Sequence, residues 1–292
     1  MQSATVDLHP LFVAICFYLS VFIIAELTRK FVDKYEVPGS LLFCFLMEVI
    51  ATAQMCTCVY ENAVIIRHYG LLGFFFTVAL LIFSGGIMNR EAFVSPLVPI
   101  ELYCKGTLPL KRLIVTLVGE MVGGYSAYRI ARNLWYWSLN LSSDHAIFYK
   151  STSCELVYKV PFMFVPAFEV FGCFLMRYIL CRIPANFKKF VAPAVVSGFL
   201  TSALLFVGVA GLNPTVASSR LQGCEGLNTV WFVMTYWICP VIGWMLSALI
   251  DNRKELRMDS SEGKDGQSGF ENIVNMHEMS KKALKPHDIG YF

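Results

Sequence analysis

The pattern of hydrophobic and polar positions divides the chain into seven long apolar stretches joined by shorter polar segments. The stretches lie near 11–28, 40–59, 69–88, 113–136, 160–181, 190–210 and 228–250. Each is close to the roughly 20 residues that a helix needs to cross a bilayer. The pattern predicts an all-α polytopic membrane protein. We expect residues 1–39 to form an N-terminal helix and linker, 40–250 the membrane domain and 251–292 a polar tail.

The first apolar stretch, 11–28, ends in Arg29 and Lys30. It has neither a basic segment before it nor a small-residue cleavage site after it, and a secretory signal peptide carries both. We therefore expect this helix to be retained. The tail from 251 onward is rich in charged residues, Ser, Gly and Asp, a composition that predicts disorder.

The basic residues in the connections predict which side of the membrane each connection faces. One set of connections holds eleven Lys and Arg residues and the opposite set holds six, and the tail falls on the side of the eleven. Because cytoplasmic loops carry an excess of Lys and Arg, we expect a cytoplasmic C-terminus. Asn140, in the sequon Asn140-Leu-Ser, is a glycosylation candidate in the longest loop on the other side.

The composition excludes several classes of protein. Hydrophobic residues make up 56% of the chain and charged residues 15%, whereas a soluble protein carries roughly a quarter charged. The net charge of only +3 argues against a nucleic-acid binder. The ten Cys include no CxxC pair, so they support neither a disulfide scaffold nor a metal site. We expect no enzyme activity, no cofactor and no metal.

Two further apolar segments are too short to span a bilayer and too apolar for ordinary surface loops. They lie near 93–103 and 211–222. In each, a polar residue directly precedes a proline, Ser95 before Pro96 and Asn213 before Pro214. Proline suits the first turn of a helix, and Ser and Asn suit the N-cap. We therefore expect two half-helices, capped by Ser95 and Asn213, that enter the membrane from opposite faces around a polar cavity.

A glutamate lies inside an apolar stretch of each half of the membrane domain. Glu48 precedes Ser95 by 47 positions, and Glu169 precedes Asn213 by 44. An intramembrane carboxylate costs roughly 2.5–3.5 kcal/mol unless it has a partner, so we expect each to accept hydrogen bonds from the backbone before its half-helix. The spacing predicts an inverted repeat of three spans and one half-helix, as in many transport proteins. The halves are residues 40–136 and 160–250.

Taken together, these residues resemble the aquaporin family. Asn213-Pro214-Thr215 is similar to the second Asn-Pro-Ala box of that family, and Ser95-Pro96-Leu97 lies where the first box belongs. Glu48 and Glu169 stand in segments similar to the first and fourth core helices. The degenerate boxes, with Cys224 nine positions after Thr215, resemble the unorthodox subgroup called superaquaporins, the aquaporin-11-like members.

The resemblance implies six spanning helices and two re-entrant half-helices, with the N-terminal helix as an addition. It implies a passive channel for water and small neutral solutes, in which Asn213 supplies a side-chain N–H to passing oxygens. Val216 stands where orthodox members carry an arginine in their outer constriction, so the selectivity filter would be wider and less polar. Glycerol and hydrogen peroxide then join water as candidate solutes. A homotetramer in the endoplasmic reticulum or another intracellular membrane is also implied.

Four cysteines are expected on the non-cytoplasmic side of the membrane or at a span end facing it. They are Cys56, Cys58, Cys154 and Cys224. If that side is an oxidising compartment, a disulfide among them is feasible. The sequence leaves open whether Cys224 forms such a bond or packs as a free thiol.

Two other functions fit part of the pattern. Seven spans with the N-terminus outside also outline a seven-helix receptor, but a receptor leaves the pair of half-helices unexplained. A channel-fold protein that no longer conducts, and acts as a membrane scaffold, fits the degenerate first box. The favoured prediction is a passive channel whose partners are membrane lipid and small solutes, without nucleic acid.

Overall fold

The computed structural model describes residues 7–151 and 154–262, with side chains as far as Asp251. The described chain is built of helices, and the predicted all-α fold class is confirmed. In order, they are α1 (His9–Tyr35), α2 (Leu41–Met88), α3 (Leu97–Cys104), α4 (Leu110–Trp137), α5 (Ser143–Lys150), α6 (Phe164–Leu180), α7 (Ala185–Phe206), α8 (Pro214–Leu221), α9 (Thr229–Val233), a π-helical turn (Met234–Ile238) and α10 (Cys239–Glu262).

Four helices among the described residues are long and apolar enough to cross a membrane. They are His9–Tyr35, Leu41–Met88, Ala185–Phe206 and the continuous run Thr229–Asp251. Helix α4 and the 17-residue α6 are not among the four. The count of seven spans therefore stays a prediction.

Helix α2 combines two of the predicted stretches, 40–59 and 69–88. Its 48 residues would extend about 72 Å as one straight helix, more than twice the roughly 30 Å of a bilayer core. The helix is interrupted at Gly70, which has φ 64° and ψ −160°. That conformation is essentially confined to glycine. Gly70 therefore separates α2 into a first and a second leg.

The order of elements is the same in both halves of the membrane domain. The first leg of α2 carries Glu48 and is followed by the second leg, the short helix α3 and α4. Helix α6 carries Glu169 and is followed by α7, the short helix α8, and α9 with α10. Helix α2 packs against α4, and α6 packs against α10. The opposite orientation of the two halves in a membrane stays a prediction.

Glycines allow the helices to pack closely at matching places in the two halves. A Cβ atom at Gly123 of α4 would lie 2.6 Å from the carbonyl oxygen of Val49. A Cβ atom at Gly243 of α10 would collide with the carbonyl oxygen of Val170. Val49 directly follows Glu48, and Val170 directly follows Glu169. Small residues at these contacts hold each glutamate-bearing helix against its partner.

Helix α1 is packed onto the body of the protein. Its residues Phe17 and Val21 are buried in a cluster with Ile65 of α2 and Trp135 of α4. At the other end of α1, the Arg90 guanidinium forms two hydrogen bonds with Glu26, at 2.8 and 3.1 Å, and a third contact with Asp33 at 3.1 Å. Helix α1 is thus joined to the segment that precedes α3.

The last helix runs beyond the predicted end of the membrane domain at residue 250. Helix α10 continues to Glu262, so the segment 251–262 is helical where the sequence predicted a disordered tail. Asp251 accepts hydrogen bonds from Arg177 at 2.7 Å and from Arg182 at 3.2 Å. These contacts with α6 and the segment after it stabilise the helix past its apolar stretch. The rest of the predicted tail, 263–292, lies outside the described residues.

Candidate functional site

Two loops meet in the interior of the protein, in front of the two short helices. We call residues 89–96, which precede α3, the first loop, and residues 207–213, which precede α8, the second loop. The side-chain Nδ2 of Asn213 donates a hydrogen bond to the carbonyl oxygen of Val94 at 3.1 Å. This bond joins two positions 119 residues apart and connects the two halves of the protein directly.

The first loop is supported by Glu48. Its carboxylate is buried, at 3% exposure, and accepts hydrogen bonds from the backbone N–H groups of Phe93 at 2.8 Å and Val94 at 3.2 Å. Val94 has a φ of 59°, a left-handed conformation that costs a residue with a Cβ atom about 1–2 kcal/mol. The carboxylate satisfies N–H groups that have no helical partner and so stabilises this turn.

The second loop has the same kind of support. Leu212 has a φ of 63°, and its backbone N–H donates to the Glu169 carboxylate at 2.7 Å. The residue before it is Gly211, where a Cβ atom would lie 2.6 Å from the carboxyl carbon of Glu169. Glycine at position 211 therefore lets the carboxylate approach the loop.

The two short helices begin differently. Asn213 is the N-cap of α8, and its Oδ1 accepts hydrogen bonds from the backbone N–H of Thr215 at 3.0 Å and Val216 at 3.4 Å. The prediction that Ser95 caps α3 is wrong. Helix α3 begins at Leu97 with Pro96 at the N-cap position and no side-chain cap. Ser95 is then one residue too early in the chain to reach the first free N–H groups of the helix.

A cavity of about 90 Å³ lies against both loops. By the same measure one water needs roughly 10–15 Å³, so several fit. Most of the lining side chains are apolar. The polar lining consists of Ser95 and four amides, Gln54, Asn62, Asn89 and Asn213. Residues of both halves form the wall, and Phe22 of α1 adds to it.

The remaining predicted site residues divide between the cavity wall and the packing behind it. Val216 and Leu97 line the cavity. Pro214 and Thr215 are buried, and Thr215 Oγ1 donates to the carboxylate of Glu120 at 2.8 Å. Behind Val216, one turn later in α8, the Arg220 guanidinium donates to the carbonyl oxygen of Val59 at 3.1 Å.

Cys154 and Cys224 form a disulfide, with their Cα atoms 4.8 Å apart. Of the two alternatives left open by the sequence, the structure therefore has Cys224 bonded. Cys56 and Cys58 are free and buried in α2. Asn140 is exposed in the turn between α4 and α5, and its glycosylation stays a prediction.

Sequence reasoning missed two buried charged residues near the cavity. Glu120 of α4, which pairs with Thr215, is fully buried; the signal was an acidic residue inside the apolar stretch 113–136. Arg29 was assigned to the polar end of the first stretch, yet it is fully buried. Its Nη2 donates to Gln54 Oε1 at 2.7 Å and to Asn89 Oδ1 at 3.1 Å. Within the described part of the chain, no group of three or more metal-ligating side chains is arranged around a common point.

The fold and the cavity define the class of protein: an all-α membrane protein in which the loops before two short helices, one from each half, meet at one cavity. A scan against protein-family profiles finds no match. The chain is 36% identical over 282 residues to "Putative aquaporin-10" of Caenorhabditis elegans, covering 96% of both chains. It is 26% identical to aquaporin-11 of Milnesium tardigradum, over 86% of this chain and 90% of that protein.

A third relative, aquaporin-11 of Equus caballus, is 24% identical over 80% of this chain and 86% of its own. The chain therefore belongs to the aquaporin family, in its superaquaporin subgroup. The family consists of channels, which supports the prediction that the protein is not an enzyme. Membership does not favour the receptor or scaffold alternatives.

Proposed function

We propose that the protein is a passive pore for water and small neutral solutes. The observation that carries the proposal is the hydrogen bond between Asn213 Nδ2 and the Val94 carbonyl oxygen, because it brings both loops to the same cavity. The N-termini of α3 and α8 follow these loops, and each presents the positive end of a helix dipole. Such a centre favours neutral solutes that accept hydrogen bonds and disfavours protons and cations.

The pore motifs would act unequally on a passing solute. In the second motif, Asn213, Pro214 and Thr215, the amide of Asn213 has a second N–H that a solute oxygen can accept from. In the first motif, Ser95, Pro96 and Leu97, the hydroxyl of Ser95 both donates and accepts. Because Ser95 lies at the cavity and leaves α3 uncapped, its hydroxyl is available to solute.

Val216 would form the selectivity filter. It lines the cavity with a branched apolar side chain, whereas an arginine would present five donors and a fixed charge. An apolar side chain there makes the filter wider and less polar. This supports glycerol and hydrogen peroxide as solutes beside water.

The remaining assignments rest on family membership and on the pattern of charges. We assign the two halves as an inverted repeat, the assembly as a homotetramer and the location as the endoplasmic reticulum or another intracellular membrane. The C-terminus would face the cytoplasm, as the excess of basic residues on its side predicts.

The test is osmotic water flux into proteoliposomes, followed by stopped-flow light scattering. The variant Asn213→Asp is the sharpest change, since aspartate also caps helices but cannot donate to Val94 or to a solute. The matched control is Asn140→Asp, the same chemical change at an exposed turn. We expect wild type and the control to exceed empty vesicles, and Asn213→Asp to lose roughly tenfold in water flux, the effect of about one hydrogen bond. Wild-type flux equal to that of empty vesicles, from folded protein, would contradict the proposal for water and favour the scaffold.

A further inference from the structure

Helix α1 contacts the polar groups of the cavity and does more than anchor the chain. Besides Asn213, three amides line the cavity, Gln54, Asn62 and Asn89. The oxygens of Gln54 and Asn89 accept from Arg29 Nη2, at 2.7 and 3.1 Å. The oxygen of Asn62 accepts from the Tyr18 hydroxyl at 2.7 Å. Each of these three amide oxygens is therefore engaged by a side chain of α1.

The chemistry of Arg29 fixes the direction in which two of these amides face. A guanidinium has donors only, so Gln54 and Asn89 must turn their oxygens toward it. Their NH₂ groups then point away from Arg29. Both side chains line the cavity, so the groups left for a solute are N–H donors. Arg29 is fully buried, so the protein around it fixes the position of its guanidinium.

The amide of Asn213 is oriented in the same way, but by the backbone of α8 instead of by α1. Its Oδ1 accepts from the backbone N–H groups of Thr215 and Val216, and its Nδ2 faces Val94. In all four cavity amides the oxygen thus accepts a hydrogen bond from the protein, and the NH₂ group points away from the group that binds the oxygen. A cavity with this lining can donate hydrogen bonds to the oxygens of a solute. It has few groups that can accept a hydrogen bond from a solute.

Arg29 also places a positive charge directly behind the cavity wall. The carboxylate of Glu26 lies 3.8 Å from Arg29 Nη1, and Glu26 is itself bound to Arg90. A buried charge of this kind is only weakly screened. It opposes entry of a cation and leaves a neutral solute unaffected. Phe22, two turns before Arg29, contributes to the cavity wall, which puts α1 close enough for this effect.

We propose that α1 sets the selectivity of the pore: Arg29 and Tyr18 are positioning residues that turn the amides of Gln54, Asn89 and Asn62 so that they donate to the solute. The substrate class is neutral solutes with hydrogen-bond-accepting oxygens, and small donor-only cations are excluded. This inference rests on the proposed function and adds the element that determines its specificity.

The test compares water flux with methylammonium uptake in the same proteoliposomes of the full chain. Methylammonium is a small cation that donates hydrogen bonds and accepts none. The variant Arg29→Met removes the charge and frees both amides to turn. The variant Gln54→Glu keeps the bond to Arg29, because a carboxylate accepts it, and replaces the NH₂ group by an oxygen. The matched control is Lys30→Met, which removes a positive charge from an exposed position of the same helix turn.

We expect wild type and Lys30→Met to conduct water and exclude methylammonium. In Arg29→Met and Gln54→Glu we expect the ratio of methylammonium uptake to water flux to rise roughly tenfold, since a charge-assisted hydrogen bond has about that effect. If Arg29 had only a structural role, Arg29→Met would lower the yield of folded protein without changing the ratio of methylammonium uptake to water flux. The variant Tyr18→Phe removes the hydroxyl that binds the Asn62 oxygen, and we expect it to take up methylammonium faster than Lys30→Met does. If Arg29→Met does not fold, Gln54→Glu and Tyr18→Phe replace it in the comparison.

Two results would overturn the inference, and they are distinguishable. If the wild type conducts water and every folded variant among Arg29→Met, Gln54→Glu and Tyr18→Phe excludes methylammonium as well as Lys30→Met does, α1 does not set the selectivity, and the proposed function stands. If folded wild type conducts no water, the proposed function fails and the selectivity claim fails with it.

Discussion

The two loops in front of the short helices have the same backbone support and different side-chain chemistry. In each, a residue with a positive φ, Val94 or Leu212, precedes the proline by two positions and donates its N–H to a buried glutamate. Only the second loop has an amide that caps its helix and also reaches across to the other loop. The backbone geometry of the centre can therefore be kept while the groups offered to a solute change.

Substitution of the two glutamates should have the largest effect on stability and tests the shared backbone support. Glu48 accepts hydrogen bonds from the backbone N–H groups of Phe93 and Val94, and Glu169 accepts one from Leu212. A buried N–H without an acceptor costs about 1–3 kcal/mol. We expect Glu48→Ala to lower the free energy of unfolding by about 4 kcal/mol and Glu169→Ala by about 2 kcal/mol. Thermal unfolding in detergent, followed by tryptophan fluorescence, measures both; equal losses would contradict the assignment of two supporting bonds to Glu48 and one to Glu169.

The helix caps provide a smaller test. Asn213→Ala removes the N-cap of α8 and the bond to Val94, so we expect a loss of about 1–2 kcal/mol in unfolding free energy. Ser95→Ala removes no cap, and its cost should be smaller than that of Asn213→Ala. The same unfolding measurement compares them. A loss at Ser95 as large as that at Asn213 would mean that Ser95 supports α3 after all.

The parts of the site that could be predicted from the sequence are those with a local or energetic signal. A carboxylate in an apolar stretch needs a partner, which singled out Glu48 and Glu169. An Asn directly before a Pro is a cap signal, which singled out Asn213. The same rule was wrong at Ser95, because a cap depends on the residue at which the helix begins, and α3 begins after Pro96.

The role of α1 was beyond sequence reasoning for a physical reason. Arg29 follows an apolar stretch, where a basic residue is normally at the membrane surface. Its burial depends on Gln54 and Asn89, which are 25 and 60 positions away, and on how two helices pack. The interruption of α2 at Gly70 and the length of α10 likewise depend on backbone geometry and on contacts of Asp251 that no local pattern contains.

The central claim is that residues of both halves of the protein line one water path, and thiol labelling of the cavity tests it most directly. Cys58 already lines the cavity, so the background is Cys58→Ala. Ser95→Cys and Val216→Cys then place one thiol from each half on the wall. We predict that a methanethiosulfonate reagent sharply reduces water flux in both variants, because the added group occupies space in a cavity of only about 90 Å³. The background should be unaffected. Flux that persists after complete labelling of either cysteine would contradict a single pore between the two halves.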